Sequence, residues 1–137
     1  MCEGCNSLDP EFAQLVVIRG NSASGKSTIA AKIRERHGRG LAVVSQDNLR
    51  RVVLREHDRP EAANIGLIGL TCRYALDCGF HAVLEGILYS AHYGQMLAGL
   101  RQDYRDRASF WFLDVPFEET VRRHGTKPRQ LSTAEPN

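Results

Sequence analysis

The chain has 137 residues, of which 18 are lysine or arginine and 16 are aspartate or glutamate, giving a formal net charge of +2. This length suits one compact domain with its own core, and the balanced charge gives no general argument for binding nucleic acid or membranes. No apolar run approaches the roughly 18 residues that a transmembrane helix needs. Residues 1–12 contain neither the basic segment nor the apolar segment of a secretory signal peptide. We therefore expect no secretory signal and a cytoplasmic location.

Short apolar runs alternate with helical patterns along the chain. The polar segment 1–13 is expected to be a flexible lead-in, and a continuous apolar run at 15–18 then predicts a strand buried on both faces. Three further strands are predicted at 41–45, 82–84 and 110–113. Alternating strands and helices favour an α/β fold whose parallel sheet carries helices on both faces.

Helices are predicted between and after these strands, over about 26–37, from 49 onward, over 61–78, over 91–103 and over 116–124. Asp47 is expected to cap the helix that starts near residue 49, and Pro60 suits the start of the next helix. Cys72 and Cys78 belong to the pattern of that helix, so we expect both to be small buried hydrophobes. The polar segment 125–137 shows no fifth strand.

The segment between the first strand and the first helix carries the strongest motif. Residues 20–27, GNSASGKS, match the pattern G-x-x-x-x-G-K-S/T in full. Its glycines let successive backbone N–H groups point inward at phosphate oxygens, and the following helix adds its positive end. In such a loop the lysine reaches the β- and γ-phosphates and the Ser27 hydroxyl binds magnesium. The predicted phosphate-binding residues are Gly20, Asn21, Ser22, Ala23, Ser24, Gly25, Lys26, Ser27 and Thr28.

Carboxylates follow the other predicted strands, at the sheet edge where ligands of parallel α/β proteins bind. Asp47 is a candidate general base or a water-mediated magnesium ligand, and a plain helix cap is the alternative. Glu85 closes an apolar strand, a pattern used to orient magnesium, although it could simply be a solvated strand end. Asp114 holds the equivalent place on the fourth strand, where we favour a cap for the 116–124 helix. The predicted metal ligands are therefore Ser27, Glu85 and Asp47.

Arginines provide the remaining candidate groups. Arg50 lies one helical turn after Asp47 and could contact the transferring phosphoryl group or form a surface ion pair. Arg122 and Arg123 could neutralise phosphate charge from a segment over the loop, or be cations at a helix end. The stretch 89–93 contains two tyrosines that either line an acceptor pocket or pack in the fold.

The segments VVIRGNSASGKST, SQDNLRR, VLEG and FLDVPFEETVRRH together resemble the P-loop kinase family. This is the branch of polynucleotide 5′-hydroxyl kinases, zeta toxins, adenylylsulfate and gluconate kinases and chloramphenicol phosphotransferase. The chain is most similar to small bacterial AAA-type ATP-binding kinases of unassigned substrate, over about residues 14–129. The resemblance implies a three-layer α/β/α P-loop NTPase fold with a parallel sheet of four to five strands in the order 2-3-1-4-5.

The same resemblance implies roles for individual residues and for segments. ATP and magnesium would be the cofactors, Asp47 would deprotonate the acceptor hydroxyl, and Arg50 would contact the phosphoryl group. Arg122 and Arg123 would correspond to the arginines of the family's lid. Residues 14–124 would then form the kinase core, with a lid remnant and tail over 125–137.

Family members usually continue beyond the lid with a fifth strand and further helices, whereas this sequence ends at Asn137. Two functions therefore stay open: a kinase acting on a hydroxyl of a small molecule or nucleic-acid end, and a nucleotide-binding module or inactive remnant without transfer. An ATPase or GTPase switch is a weaker alternative, because no Asn/Thr-Lys-x-Asp segment for reading guanine is present. An exposed fourth strand at the sheet edge could also pair two copies as a homodimer.

Overall fold

The computed structural model describes residues 9–21 and 25–113. Its centre is a parallel sheet in the order β2-β3-β1-β4. The strands are β1 (Leu15–Gly20), β2 (Leu41–Ser45), β3 (His81–Gly86) and β4 (Ala108–Leu113). All the strands predicted from the sequence are present, and the order agrees with the first four positions of the family's sheet.

In the described part of the chain, three α-helices cover the two faces of the sheet, as the alternating pattern predicted. They are α1 (Lys26–His37), α2 (Ala63–Asp77) and α3 (Ser90–Asp103). A π-helix, Asn48–Leu54, follows β2, and short 3-10 turns precede β1 and β4 at Pro10–Phe12 and Arg105–Arg107. The predicted helix 116–124 lies outside the described residues.

The hydrophobic core has one part on each face of the sheet. On the face of α2 and α3, sheet residues such as Val17 and Leu84 pack with the helix residues Ile68, Cys72 and Leu97. On the face of α1, the packed residues are Ile18, Ala30, Leu41 and Val83. The central strands β1 and β3 are buried from both sides, which explains their continuous apolar sequences.

Two predictions about the segment between β2 and β3 are wrong. Asp47 makes no capping hydrogen bond, because the Ser45 hydroxyl accepts the Asn48 N–H instead, at 3.2 Å. Pro60 does not start a helix either, since it lies in a turn whose next residue, Glu61, has φ +60°.

Helix α2 begins at Ala63 rather than at residue 61, and its cap comes from a distant side chain. The residue at the N-cap position, Ala62, has no polar side chain, and the Glu56 carboxylate accepts the N–H groups of Ala63 and Asn64 at 2.9 and 2.7 Å. These hydrogen bonds, with the charge of Arg59, lower the pKa of Glu56 although burial opposes them. The Glu56 carboxylate, seven residues before the helix begins, thus takes the place of an N-cap side chain.

The two cysteines of this part of the chain are buried, as expected. Burial raises the pKa of the Cys72 thiol to about 12, so this thiol stays protonated and inert at neutral pH. Among the described residues, no helix has both the length and the apolar character that crossing a membrane requires.

Candidate active site

The site lies where the parallel strands end at a common edge of the sheet. Ile18 of β1 and Ser45 of β2 are both level with Glu85 of β3. The described residues that follow these strands, Asn21, 46–50 and 87–89, therefore leave the sheet side by side. This is the edge at which parallel α/β folds bind ligands.

The described part of the phosphate loop has the features that its motif predicts. Gly25 has φ +99°, a left-handed conformation, and its carbonyl accepts the Ile29 N–H at 2.9 Å as α1 begins. No acidic side chain lies in the first turn of α1, and none of the described side chains caps it. The positive N-terminal end of this helix is thus available to bind an anion.

Lys26 is folded into the loop rather than extended into solvent. Its side chain is 8% exposed, and Nζ donates a hydrogen bond to the Asn21 carbonyl at 2.9 Å. The ammonium group therefore lies against the backbone that directly follows β1. Ser22, Ala23 and Ser24, which the sequence also predicts as phosphate ligands, lie outside the described residues.

Ser27 and Glu85 come together at the base of the loop. The Ser27 hydroxyl donates to Glu85 Oε1 at 3.5 Å, and Glu85 is 6% exposed at the end of the central strand β3. A buried carboxylate beside a hydroxyl is a donor set that suits magnesium, which prefers oxygen ligands. No cluster of three or more His, Cys, Asp or Glu side chains occurs in the described ranges. A magnesium ion here would need phosphate oxygens and water to complete its shell.

Asp47 lies at the mouth of the same edge with its carboxylate mostly exposed. It pairs with two arginines, Arg50 Nη2 at 3.8 Å and Arg51 Nη1 at 3.5 Å. Arg50 also donates to the Glu56 carbonyl at 3.1 Å, which ties it to the chain after the π-helix. Arg50 therefore forms the ion pair predicted as the alternative to a phosphoryl contact, although its side chain is only 20% exposed, and it makes a backbone contact besides.

A buried polar cluster behind Asp47 was missed by the sequence reading. The Tyr93 hydroxyl contacts Gln46 Nε2, Asn64 Oδ1 and Asp58 Oδ1 at 2.9, 2.9 and 3.1 Å. The prediction that tyrosines of the 89–93 stretch pack in the fold is right for Tyr93, which is fully buried. The sequence feature that could have revealed this cluster is Asn64, a polar residue in line with the apolar stripe of α2.

A cleft of about 580 Å³ opens between the first turns of α2 and α3, two helices that start at the site edge. Glu61, Ile65, His92, Gln95 and Met96 contribute to its walls. His92 Nδ1 lies 3.3 Å from Asp58 Oδ1, so the ring is oriented by the buried cluster. A second cavity of about 390 Å³ lies along α1, beside Ser27 and Thr28. Both volumes suit small molecules.

Comparison with known proteins assigns this arrangement to a family. A model of the AAA domain family matches residues 15–136, which is most of the chain. The chain belongs to this AAA domain family. No curated protein matches it significantly.

Solved structures of P-loop kinases share the fold. The chain is similar to APS kinase CysC of Mycobacterium tuberculosis in complex with AMPPNP and APS, with 22% identity, a TM-score of 0.68, and coverage of 83% of this chain and 69% of that one. It is similar to a chain of the Pnkp1/Rnl/Hen1 RNA repair complex, with 22% identity, TM-score 0.66, and coverage of 88% and 39%. It is also similar to a gluconokinase from Sinorhizobium meliloti 1021, with 20% identity, TM-score 0.61, and coverage of 90% and 70%.

The remaining candidate site residues lie beyond β4. Arg122 and Arg123, which the resemblance assigns to the lid, and Asp114 are outside the described residues. The described residues thus bring together Lys26, Ser27 and Glu85 and position Asp47 and Arg50 at the same edge.

Proposed function

We propose that this chain is an ATP-dependent kinase that transfers the γ-phosphoryl group to a hydroxyl of a small molecule or a nucleic-acid end. The observation that carries the proposal is the contact between Ser27 and Glu85, at 3.5 Å, next to a lysine whose ammonium group contacts the Asn21 carbonyl. A loop with a metal-binding hydroxyl and a buried carboxylate is suited to a magnesium-bound triphosphate. Membership of the AAA domain family and the fold shared with solved structures of an APS kinase and a gluconokinase support the same assignment.

In the proposed complex the backbone of residues 20–28 and the start of α1 bind the β- and γ-phosphates. Lys26 exchanges its contact with the Asn21 carbonyl for phosphate oxygens, a change that requires only side-chain motion. Ser27 and Glu85 would hold magnesium, which would supply positive charge to neutralise the phosphates. Arg122 is proposed to add a further phosphate contact from the lid.

The transfer step itself needs a base and charge balance. Asp47 accepts the proton of the acceptor hydroxyl, whose oxygen forms a bond to the γ-phosphorus while the bond to the β–γ bridging oxygen breaks and ADP leaves. Arg50 and Arg123 are proposed to balance the charge that spreads over the γ-oxygens. Asp47 is exposed at the site edge, which lets an acceptor reach it.

The cleft between α2 and α3 is the proposed acceptor side of the site. Its walls combine apolar groups with the amide of Gln95, the ring of His92 and the carboxylate of Glu61. None of the described residues that line it is lysine or arginine. This lining favours a neutral hydroxyl-bearing acceptor, such as a polyol or nucleoside, over an anionic one.

The test replaces Asp47 by Asn and follows both binding and transfer. Labelled ATP is incubated with a polyol, a nucleoside and a 5′-hydroxyl oligonucleotide, and ATP binding is measured by calorimetry. We expect Asp47→Asn to abolish label transfer and to leave ATP affinity unchanged. Asp106→Asn, an exposed carboxylate in the turn before β4, is the matched control and should transfer normally. Unchanged turnover in Asp47→Asn would refute the assigned base, and binding without any transfer by the wild type would favour a nucleotide-binding module.

A further inference from the structure

The Tyr93 hydroxyl joins four separate segments of the site. It contacts Gln46 after β2, Asp58 in the loop before α2, and Asn64 in the first turn of α2, while Tyr93 itself lies on α3. Gln46, Asn64 and Tyr93 are all buried, with at most 3% exposure. Polar groups in such surroundings are costly unless each finds a partner, so this cluster strongly favours one arrangement.

The hydrogen-bonding capacity of the phenol fits these partners. Gln46 Nε2 donates to the Tyr93 oxygen, and the single O–H hydrogen goes to Asn64 Oδ1 or Asp58 Oδ1. Burial raises the pKa of Tyr93, so the phenol keeps its hydrogen at neutral pH. Asn64 Nδ2 donates to Glu56 at 3.1 Å, which orients its amide with the oxygen toward Tyr93.

Gln46 connects this cluster to both carboxylates of the site. It directly precedes Asp47 in the chain, and its Cβ packs against Gly86, which directly follows Glu85. A Cβ at Gly86 would lie 2.7 Å from the Gln46 Cβ, so any larger residue at position 86 would force the Gln46 side chain to shift. Any movement of Gln46 therefore changes the position of Asp47 relative to the end of β3.

We propose that Tyr93 is a positioning residue for phosphoryl transfer, whose hydroxyl fixes Gln46 and thereby holds Asp47 in place beside the phosphate loop. The proposal rests on the proposed function, because it gives Tyr93 a role through the base Asp47. It assigns Tyr93 no contact with ATP, since the hydroxyl is satisfied within the buried cluster. The hydroxyl should therefore affect turnover and leave nucleotide binding unchanged.

The first test compares Tyr93→Phe with Tyr104→Phe. Tyr104 is also buried, and its hydroxyl donates to Asp77 at the opposite end of the fold, so the same atom is removed far from the site. With the acceptor found in the labelled-ATP screen, we expect Tyr93→Phe to lower kcat about tenfold at an unchanged KM for ATP. Tyr104→Phe should keep the wild-type kcat. Equal kcat values for the two variants would overturn the proposal.

A double-mutant cycle shows whether Tyr93 acts through Gln46. Gln46→Met keeps the length and the Cβ of the side chain but has no N–H donor. If the two residues act through one hydrogen bond, the double variant should have a kcat no lower than that of the poorer single variant. Additive losses would overturn the proposed path.

Hydrogen exchange separates this proposal from the proposed function. Tyr93→Phe should speed deuterium uptake at residues 46–50 in the free protein, whereas Tyr104→Phe should not. If the wild type transfers no label, the kinase assignment fails, and the exchange rates alone decide whether Tyr93 holds the Asp47 segment. Unchanged uptake at residues 46–50 would then overturn the inference.

Discussion

Ser27 Oγ lies 3.5 Å from Glu85 Oε1, although the two residues are 58 positions apart in the sequence. The contact arises because β1 and β3 are adjacent parallel strands and α1, which begins at Lys26, packs against β3. A hydroxyl and a carboxylate meet where a triphosphate would carry its metal ion. The role of this pair is therefore tested best by comparing ATP binding with and without magnesium.

Replacing Glu85 by Gln should weaken magnesium-dependent ATP binding about tenfold, because one charged oxygen ligand is lost. The same change should leave the metal-free protein equally or more stable, since a buried carboxylate with few partners is costly. Calorimetric titration with and without magnesium, together with thermal unfolding, measures both effects. A loss of ATP affinity that is equal with and without magnesium would contradict the assignment.

Replacing Lys26 by Ala should weaken ATP binding roughly 10- to 100-fold, the usual loss when a hydrogen bond to a charged group is removed. Arg36→Ala is the matched control, because Arg36 is an exposed cation in the last turn of the same helix. The control should bind ATP with the affinity of the wild type. Equal losses in the two variants would show that only net charge matters.

His81 should make the stability of the protein depend on pH. Its Nδ1 accepts the Gln14 N–H at 2.9 Å, and burial together with the nearby charge of His37 lowers the pKa of His81 below its ordinary value of 6.5. The folded state thus resists protonation, while the unfolded chain takes up the proton below 6.5. The stabilising contribution is complete above that value and is lost as the pH falls through the lowered pKa.

Urea unfolding at about pH 7.5 and about pH 5.5 measures this contribution. We expect His81→Gln to reduce the loss of stability between the two pH values. His57→Gln, which changes an exposed histidine in the loop before α2, should leave it unchanged. An identical pH dependence in wild type and His81→Gln would contradict the role of the Nδ1 hydrogen bond.

The edge position of β4 predicts self-association. Within the described residues β4 is the last strand of the sheet, and Trp111 and Phe112 are 60% and 54% exposed. Gel filtration with light scattering should give a dimer mass at high concentration, and Trp111→Lys should return it to a monomer. Leu70→Lys is the control, because Leu70 is an equally exposed apolar residue on α2. A wild type that stays monomeric at high concentration would refute this interface.

The strands and the phosphate loop could be predicted because local sequence determines them. Residues 15–18 are apolar at every position because β1 is buried on both faces, and the loop motif places its functional groups within eight residues. The contact of Glu85 with the loop follows from the parallel strand order, which the family resemblance implied.

The features that escaped the sequence depend on contacts between distant residues. The Gln46–Tyr93 hydrogen bond spans 47 positions, and the cap of α2 comes from Glu56 rather than from the residue before the helix. The π-helix after Asp47 has no periodic signal that separates it from an α-helix. These three features could be found only from the three-dimensional structure.

A crystal structure with magnesium and AMPPNP, a non-hydrolysable ATP analogue, tests the central claim most directly. The account predicts the γ-phosphate between Lys26 and Asp47, with magnesium on the Ser27 hydroxyl and Glu85 beside it, directly or through water. A nucleotide bound away from residues 20–28, or with its γ-phosphate directed away from Asp47, would contradict the account.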